Sequence, residues 1–310
     1  FRQVYERPVR EVWEEWMVWE NDFQQGNIAR IKEFPLTYFT PLTPDPLGSV
    51  SKFEYNQSTG KIYAAINHPG VISQIAEIDS HTGKIRKIAT LDSPSLYYST
   101  HLAYNAQDEK LYISEHNNNY RNLVEIDIRH GSRRTLNRLT RTGDLEFNPV
   151  DKCLWGVQND NGYSSLVKIP PPYDRVLPVF SAPFGKVLFD LDISHSGDLL
   201  CASLSGIRGE QSLILFDLNR LDAGQSGYET VYTLDDNTLT QFRFSTDDCY
   251  LIGTSYYTGV SNVWRIKLED KSFELLSNTT TGFFMPLQLN ADSLLVLRYE
   301  RDGMRPGLIP

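Results

Sequence analysis

The sequence predicts an all-β chain, a six-bladed β-propeller with a short N-terminal amphipathic α-helix, and three observations predict it. A five-residue pattern of alternating apolar positions ending in Asn or Ser recurs six times. Each copy is followed by a turn and a second apolar run. Successive copies lie 43 to 51 residues apart. Short antiparallel strands repeated at such a period are the arithmetic of propeller blades.

The composition agrees. Aromatic residues make up 12% of the 310 residues, with 17 Tyr, 16 Pro and 20 Gly, a mixture that suits many short strands joined by turns. All-β folds of this length are commonly one domain. The formal charge of −9 and the lack of any long basic run argue against nucleic acid or an anionic membrane as the main partner. The longest apolar stretches, such as residues 293–297, are far too short to cross a bilayer. Cys153, Cys201 and Cys249 each lie in or beside an apolar strand and read as buried thiols.

The six copies are residues 52–56, 101–105, 144–148, 190–194, 241–245 and 286–290. Alternation with period two marks a strand with one buried face. The closing Asn or Ser opens a turn, because its side chain hydrogen-bonds the backbone just ahead. Second strands follow, as in Lys61-Ile62-Tyr63-Ala64-Ala65 and Lys152-Cys153-Leu154-Trp155-Gly156. Third strands such as Leu123-Val124-Glu125-Ile126-Asp127 come next, and turns like His81-Thr82-Gly83 lead into fourth strands.

The last unit has residues for three strands only. Residues 36–42 precede the first copy at the spacing of a fourth strand, so they are expected to pair with the third strand of the last blade and close the ring. Pro35 and Pro41 suit an outermost strand, where a missing N–H can face solvent. This divides the chain into a helical segment, 1–34, and a propeller, 35–310. The chain opens at Phe1 without an initiator Met, as expected of a processed chain or of a piece of a longer one.

Residues 9–34 read as a helix, with Val9, Trp13, Trp16, Phe23 and Ile31 recurring at spacings near three and four. Trp13, Trp16, Trp19 and Phe23 form an aromatic face. It either packs on the propeller rim or marks the interface with a neighbouring domain. Gly26 is the point at which this helix would kink.

Catalytic signatures are missing: the sequence holds no H-E-x-x-H, G-x-S-x-G, P-loop, C-x-x-C or G-x-G-x-x-G. The six His are scattered, and His116 falls in a polar stretch, residues 116–120, that reads as a loop. The first strand of each unit borders the central channel of a propeller, so its polar positions are candidates for binding. His101, Asp144, Glu146, Asp190, Asp192, Gln241 and Arg243 form that set, with Lys52, Glu54 and Gln288 beside it. Such a mouth could bind a peptide end, a sugar or a cation. With Asn105 and Asn148 nearby the carboxylates could hold Ca²⁺, which takes six to eight oxygen ligands; otherwise no cofactor is expected. The sequons at Asn56 and Asn278 read as turns. The aromatic loops at Tyr97-Tyr98, Tyr120 and Tyr256-Tyr257 are the sites where a carbohydrate would bind.

Two passages resemble known proteins. The blade text around residues 55–63 and 78–83 is similar to the TolB-like, WD-type propellers of bacterial envelope proteins, over residues 36–310. Their usual S-P-D-G turn survives only as Ser194-His195-Ser196-Gly197 and Ser245-Thr246-Asp247-Asp248. Residues 12–16, 23–24, 35–37 and 47–51 resemble the junction at which a gluzincin-type metallopeptidase-like domain precedes such a propeller. The resemblance implies an extracytoplasmic location, periplasmic or outer-membrane associated. It also implies that any peptidase motif lies upstream of Phe1. The chain itself is then expected to be a non-catalytic scaffold for a protein or peptide partner, or for neighbouring domains of the same polypeptide. The alternative is a metal-dependent propeller hydrolase or lactonase with a divalent cation in the channel.

Overall fold

The computed structural model describes residues 1–91, 101–117 and 120–310. Six antiparallel sheets follow one another along the chain and form the six blades. Blade 3 is typical: Thr142–Phe147, Leu154–Asp160, Tyr163–Ile169 and Leu177–Ser181 lie side by side in chain order. In blade 1 the innermost strand is broken into Ser49–Val50 and Glu54–Asn56, both paired with Lys61–Asn67.

The second strand of each blade is covered on both faces by the neighbouring blades, so its sequence is a continuous apolar run. Lys61–Asn67 and Leu199–Ser205 are buried along their whole middles. Fourth strands lie at the rim and are largely exposed, as in Leu177–Ser181. The core therefore sits between blades. Trp155 and Leu166 of blade 3 pack with Leu188, Leu200, Ile214 and Phe216 of blade 4. Val50, Phe53 and Ile62 of blade 1 pack with Leu289, Leu295 and Leu297 of blade 6, across the seam where the ring closes. Truncating a side chain as buried as Trp155 costs about 3–5 kcal/mol.

Backbone pairing at the closure is short. Thr40 lies opposite Leu308 and Pro41 opposite Gly307, so residues 36–42 contribute two paired positions. Side chains supply the rest. Phe39 stacks on Phe283 with ring centroids 5.8 Å apart, and the Arg298 guanidinium lies 4.0 Å above the Phe39 ring. Gly307 makes room, since a Cβ there would come within 2.3 Å of Phe39. Asn278 then fastens the segment ahead of Phe39. Its amide donates to the carbonyls of Ile31, Phe34 and Pro35 at 2.9, 3.2 and 3.3 Å. Its backbone N–H meets Thr37 Oγ1 at 2.8 Å, and its carbonyl accepts from Thr37 N at 2.9 Å.

Val9–Ile31 is helical, and it contains no buried residue. Packing of its aromatic face on the rim does not occur. The strap of residues 32–39 holds the helix's end to the last blade but leaves its length outside. Trp13, Trp16, Trp19 and Phe23 are 59, 44, 58 and 48% exposed and pair with one another instead. An Arg10–Glu14 pair at 2.8 Å, one turn apart, adds a few tenths of a kcal/mol. The helix runs unbroken through Gly26 and ends short of Phe34, because Pro35 disfavours helical geometry in the residue before it.

Two further expectations need correcting. Cys153 and Cys201 are buried, but Cys249 sits in a turn ahead of its strand and is exposed. His116 and Asn117, read as part of a loop, belong to the strand Lys110–Asn117 and pair with Arg121 and Tyr120 of the strand Tyr120–Asp127. Blade 4 also carries a short helix, Leu218–Asp222, between its outer strands. It starts where Asp217 accepts the Arg220 N–H at 3.0 Å and is anchored by buried Leu218 and Leu221.

Candidate functional site

The innermost strands of blades 4, 5 and 6 share one local device. Asp190, Gln241 and Met285 have φ of 54°, 59° and 50°, and the strand register shifts at each of these points. A left-handed residue in a strand makes a bulge and turns its N–H out of its own sheet. Here each such N–H is received by the preceding blade. Asp190 N donates to Asp144 Oδ2 at 2.6 Å, and Gln241 N to Asp190 Oδ2 at 2.7 Å. Met285 N donates to Gln241 Oε1 at 2.7 Å. On its other oxygen Asp144 contacts His101 Nδ1, which carries the chain back to blade 2. A positive φ costs a non-glycine residue about 1–2 kcal/mol, and a hydrogen bond to a buried acceptor offsets that cost.

A second layer lies one step further along the same strands. Asp192 accepts from Arg243 Nε at 3.0 Å and from Phe244 N at 2.8 Å. Arg243 then crosses the channel to Glu54 Oε1 at 3.3 Å and to the Phe53 carbonyl. Lys52 contacts Glu146, lies 3.7 Å from Glu54 and donates to the Leu191 carbonyl at 3.3 Å. This layer of charges plugs the channel between blades 1, 3, 4 and 5.

The electrostatics follow from that crowding. Burial, then the Asp144 charge, raises the Asp190 carboxyl to about 6. Burial also opposes ionisation of Asp144, but the His101 charge and hydrogen bond and the Asp190 amide outweigh it, and its pKa is lowered. Lys52 is pulled down by burial and by Arg243. For Arg243, burial is overcome by Glu54 and Asp192 and the pKa is raised.

All seven sequence candidates therefore border the channel, in two layers. His101, Asp144, Asp190 and Gln241 line a cavity of about 60 Å³ at one end, with Met285, Phe242 and Leu145. Glu146, Asp192 and Arg243 face a basin of about 590 Å³ at the other end, to which every blade contributes. Asn105 and Asn148 do not join the carboxylates. Their side-chain oxygens accept turn amides of Gln107 and Val150 at 3.1 and 2.9 Å. Among the described residues no three His, Cys, Asp or Glu side chains converge as metal ligands. Sequence reasoning missed Met285, because the pattern aligns Pro286 there. A proline has no N–H to give, so the bulge falls one residue earlier. It also missed Arg121, whose pKa burial lowers against the pull of Asp144.

The two faces differ. The loops at the small cavity's end include Ile72, Tyr163, Phe184, Ile207, Tyr257 and Tyr299, all large and exposed, with Ile207 at 78%. Tyr163 meets Phe184 edge-on at 5.8 Å, and Ile207 covers Gly185 beside it. Turns on the opposite face carry Val150 as their one large exposed apolar side chain among the described residues. Of the expected carbohydrate loops, Tyr97 and Tyr98 lie outside the described residues, as does the side chain of Tyr120.

No family model matches the chain, and no curated protein does. Solved structures do. TolB from Acinetobacter baumannii superimposes with a TM-score of 0.60 over 82% of this chain, at 13% identity. The chain has a TolB-like six-bladed β-propeller fold. It spans 65% of that TolB chain. A gluconolactonase from Xanthomonas campestris matches over 89% of this propeller and 98% of its own chain, with a TM-score of 0.58 and 14% identity. An oligogalacturonate lyase from Vibrio parahaemolyticus covers 88% of this propeller and 93% of its own chain, with a TM-score of 0.57 and 12% identity. At such identities the likeness concerns the fold alone. In the TolB-like propeller, among the described residues, no helix is long and apolar enough to cross a membrane.

Proposed function

We propose that this propeller is a non-catalytic scaffold that binds a protein or peptide partner within a larger bacterial envelope protein. The observation that carries the reading is the use made of the channel. Asp144, Asp190 and Gln241 receive backbone amides from the next blade, and Asp192 and Arg243 hold each other. A catalytic carboxylate needs a free oxygen within reach of a substrate proton. Asp144 has both oxygens occupied by the ring itself and Asp190 one of its two, and the cavity between them is about 60 Å³.

An extracytoplasmic location accords with the resemblance to envelope propellers. A gluzincin-type domain upstream of Phe1 accords with the resemblance of residues 12–51 to such junctions. Trp13, Trp16, Trp19 and Phe23, exposed on a helix that the propeller does not cover, are the surface for that neighbour. Photo-crosslinking residues placed at Ile72, Ile207, Val150 and Trp16 in the native protein test the reading. Discrete protein cross-links from at least one position are expected; none from any of the four contradicts it.

A further inference from the structure

Building on the binding reading above, we propose that a partner protein docks on the face bearing the apolar loops and inserts a lysine or arginine side chain into the cavity at its centre. Two independent observations point there. The first is the asymmetry of the faces. Large exposed apolar side chains crowd the loops around the small cavity, and Phe184, Tyr163 and Ile207 form one contiguous patch. An apolar patch on one face of a propeller whose other face is polar marks a docking surface. Phe184 and Ile207, the most exposed members of the patch, carry no hydrogen-bonding group for a sugar, so the patch suits a protein.

The second observation is the charge left over in the cavity. Asp144 gives one oxygen to His101 and the other to the Asp190 amide. Lys52 and Arg243 border the cavity but are turned down the channel, to Glu146 and Glu54 and to Asp192 and Glu54. Arg121 acts on Asp144 from beside Gly143 and does not line the cavity. Asp190 gives only Oδ2 to the Gln241 amide, and Oδ1 has no hydrogen-bond partner among the described residues. Asp190 therefore presents one oxygen to the cavity without a hydrogen bond, although the charges of His101 and Lys52 act on it from the side. Leu145, Phe242 and Met285 also line the cavity, walls suited to an alkyl stem. The volume, about 60 Å³, is on the scale of the end of one side chain.

The test uses paired peptide arrays with apolar flanks and a central residue that is lysine in one array and norleucine in the other. Titrations of the best pairs against the whole chain at neutral pH follow. Lysine peptides are expected to bind at least tenfold more tightly than their norleucine partners. Asp190→Asn should erase that preference while leaving the fold intact, because an amide oxygen still accepts from Gln241 N. Ile207→Asp should weaken both series, and Val150→Asp on the other face neither. Equal binding of the two series, or a lysine preference that survives Asp190→Asn, overturns the proposal; so does the absence of saturable binding. Equal binding lost in Ile207→Asp removes only the lysine and leaves the scaffold reading standing. Loss of the scaffold reading would show separately, as an absence of cross-links in the native protein.

Discussion

The Asp190 amide reaches across the seam between the third and fourth blades and donates to Asp144 at 2.6 Å, although the two residues are 46 positions apart in the chain. The same exchange is repeated at the next two seams. A propeller's blades are held mainly by apolar contacts between sheets, which have no direction. These hydrogen bonds add direction, because an amide turned out by a left-handed bulge fits only an acceptor at one height on the neighbouring strand.

Removing such an acceptor should therefore weaken the ring. Asp144→Ala leaves the Asp190 amide without its acceptor and is expected to cost about 1–3 kcal/mol. Asp144→Asn keeps an acceptor oxygen and should cost less. Urea unfolding of the two variants beside the parent measures the difference.

Asp190 gives the ring a pH signature. Its folded pKa, raised to about 6, lies above the ordinary carboxylate value of 3.8. Between those values the folded chain binds a proton that the unfolded chain does not. This group's contribution to stability thus rises as pH falls from about 6 toward 4, opposite to a carboxylate whose pKa is depressed on folding. The difference in melting temperature between the parent and Asp190→Asn, followed from pH 7 to 4.5, should shift in the parent's favour on acidification. A difference that stays constant would show that Asp190 titrates normally.

How far these features could be read from sequence depends on what each rests on. The blades were legible because burial on one face imposes a period of two. The polar residues of the channel were legible because they occupy the first position of that period. What they do there was not, since the bulges at Asp190 and Gln241 depend on acceptors a whole blade away. Asn278 looked like a turn for the same reason: its partners, Ile31, Phe34 and Pro35, lie more than 240 residues earlier. The helix was legible as a helix, but amphipathicity states only that a face is apolar, not that anything covers it.

Asn278 supports a prediction about the closure. Asn278→Ala removes three hydrogen bonds from the strap ahead of Phe39. Limited proteolysis should then cut within residues 32–38 several-fold faster than in the parent, while the melting temperature changes little. Phe39→Ala, which also loses the Phe283 stack and the Arg298 contact, should lower the melting temperature as well.

The cysteines provide a simple check on burial. In the folded chain one thiol, Cys249, should react with an aromatic disulfide reagent, and Cys153 and Cys201 should react only on unfolding. Cys249→Ser should abolish the native reaction. The reaction should be slow at neutral pH, because partial desolvation and then Asp247 raise the Cys249 pKa.

The claim that the channel's charged groups hold blades together, and do no chemistry, is tested most directly by turnover. The purified chain would be offered a panel of sugar lactones, aryl esters and oligogalacturonides, with and without added Ca²⁺, Mn²⁺ or Zn²⁺. Asp144→Asn and Asp190→Asn would be assayed beside it. The expected result is no turnover above buffer in any condition, with both variants differing from the parent only in stability. Saturable turnover by the parent that disappears in both variants, while their folds persist, would contradict the claim.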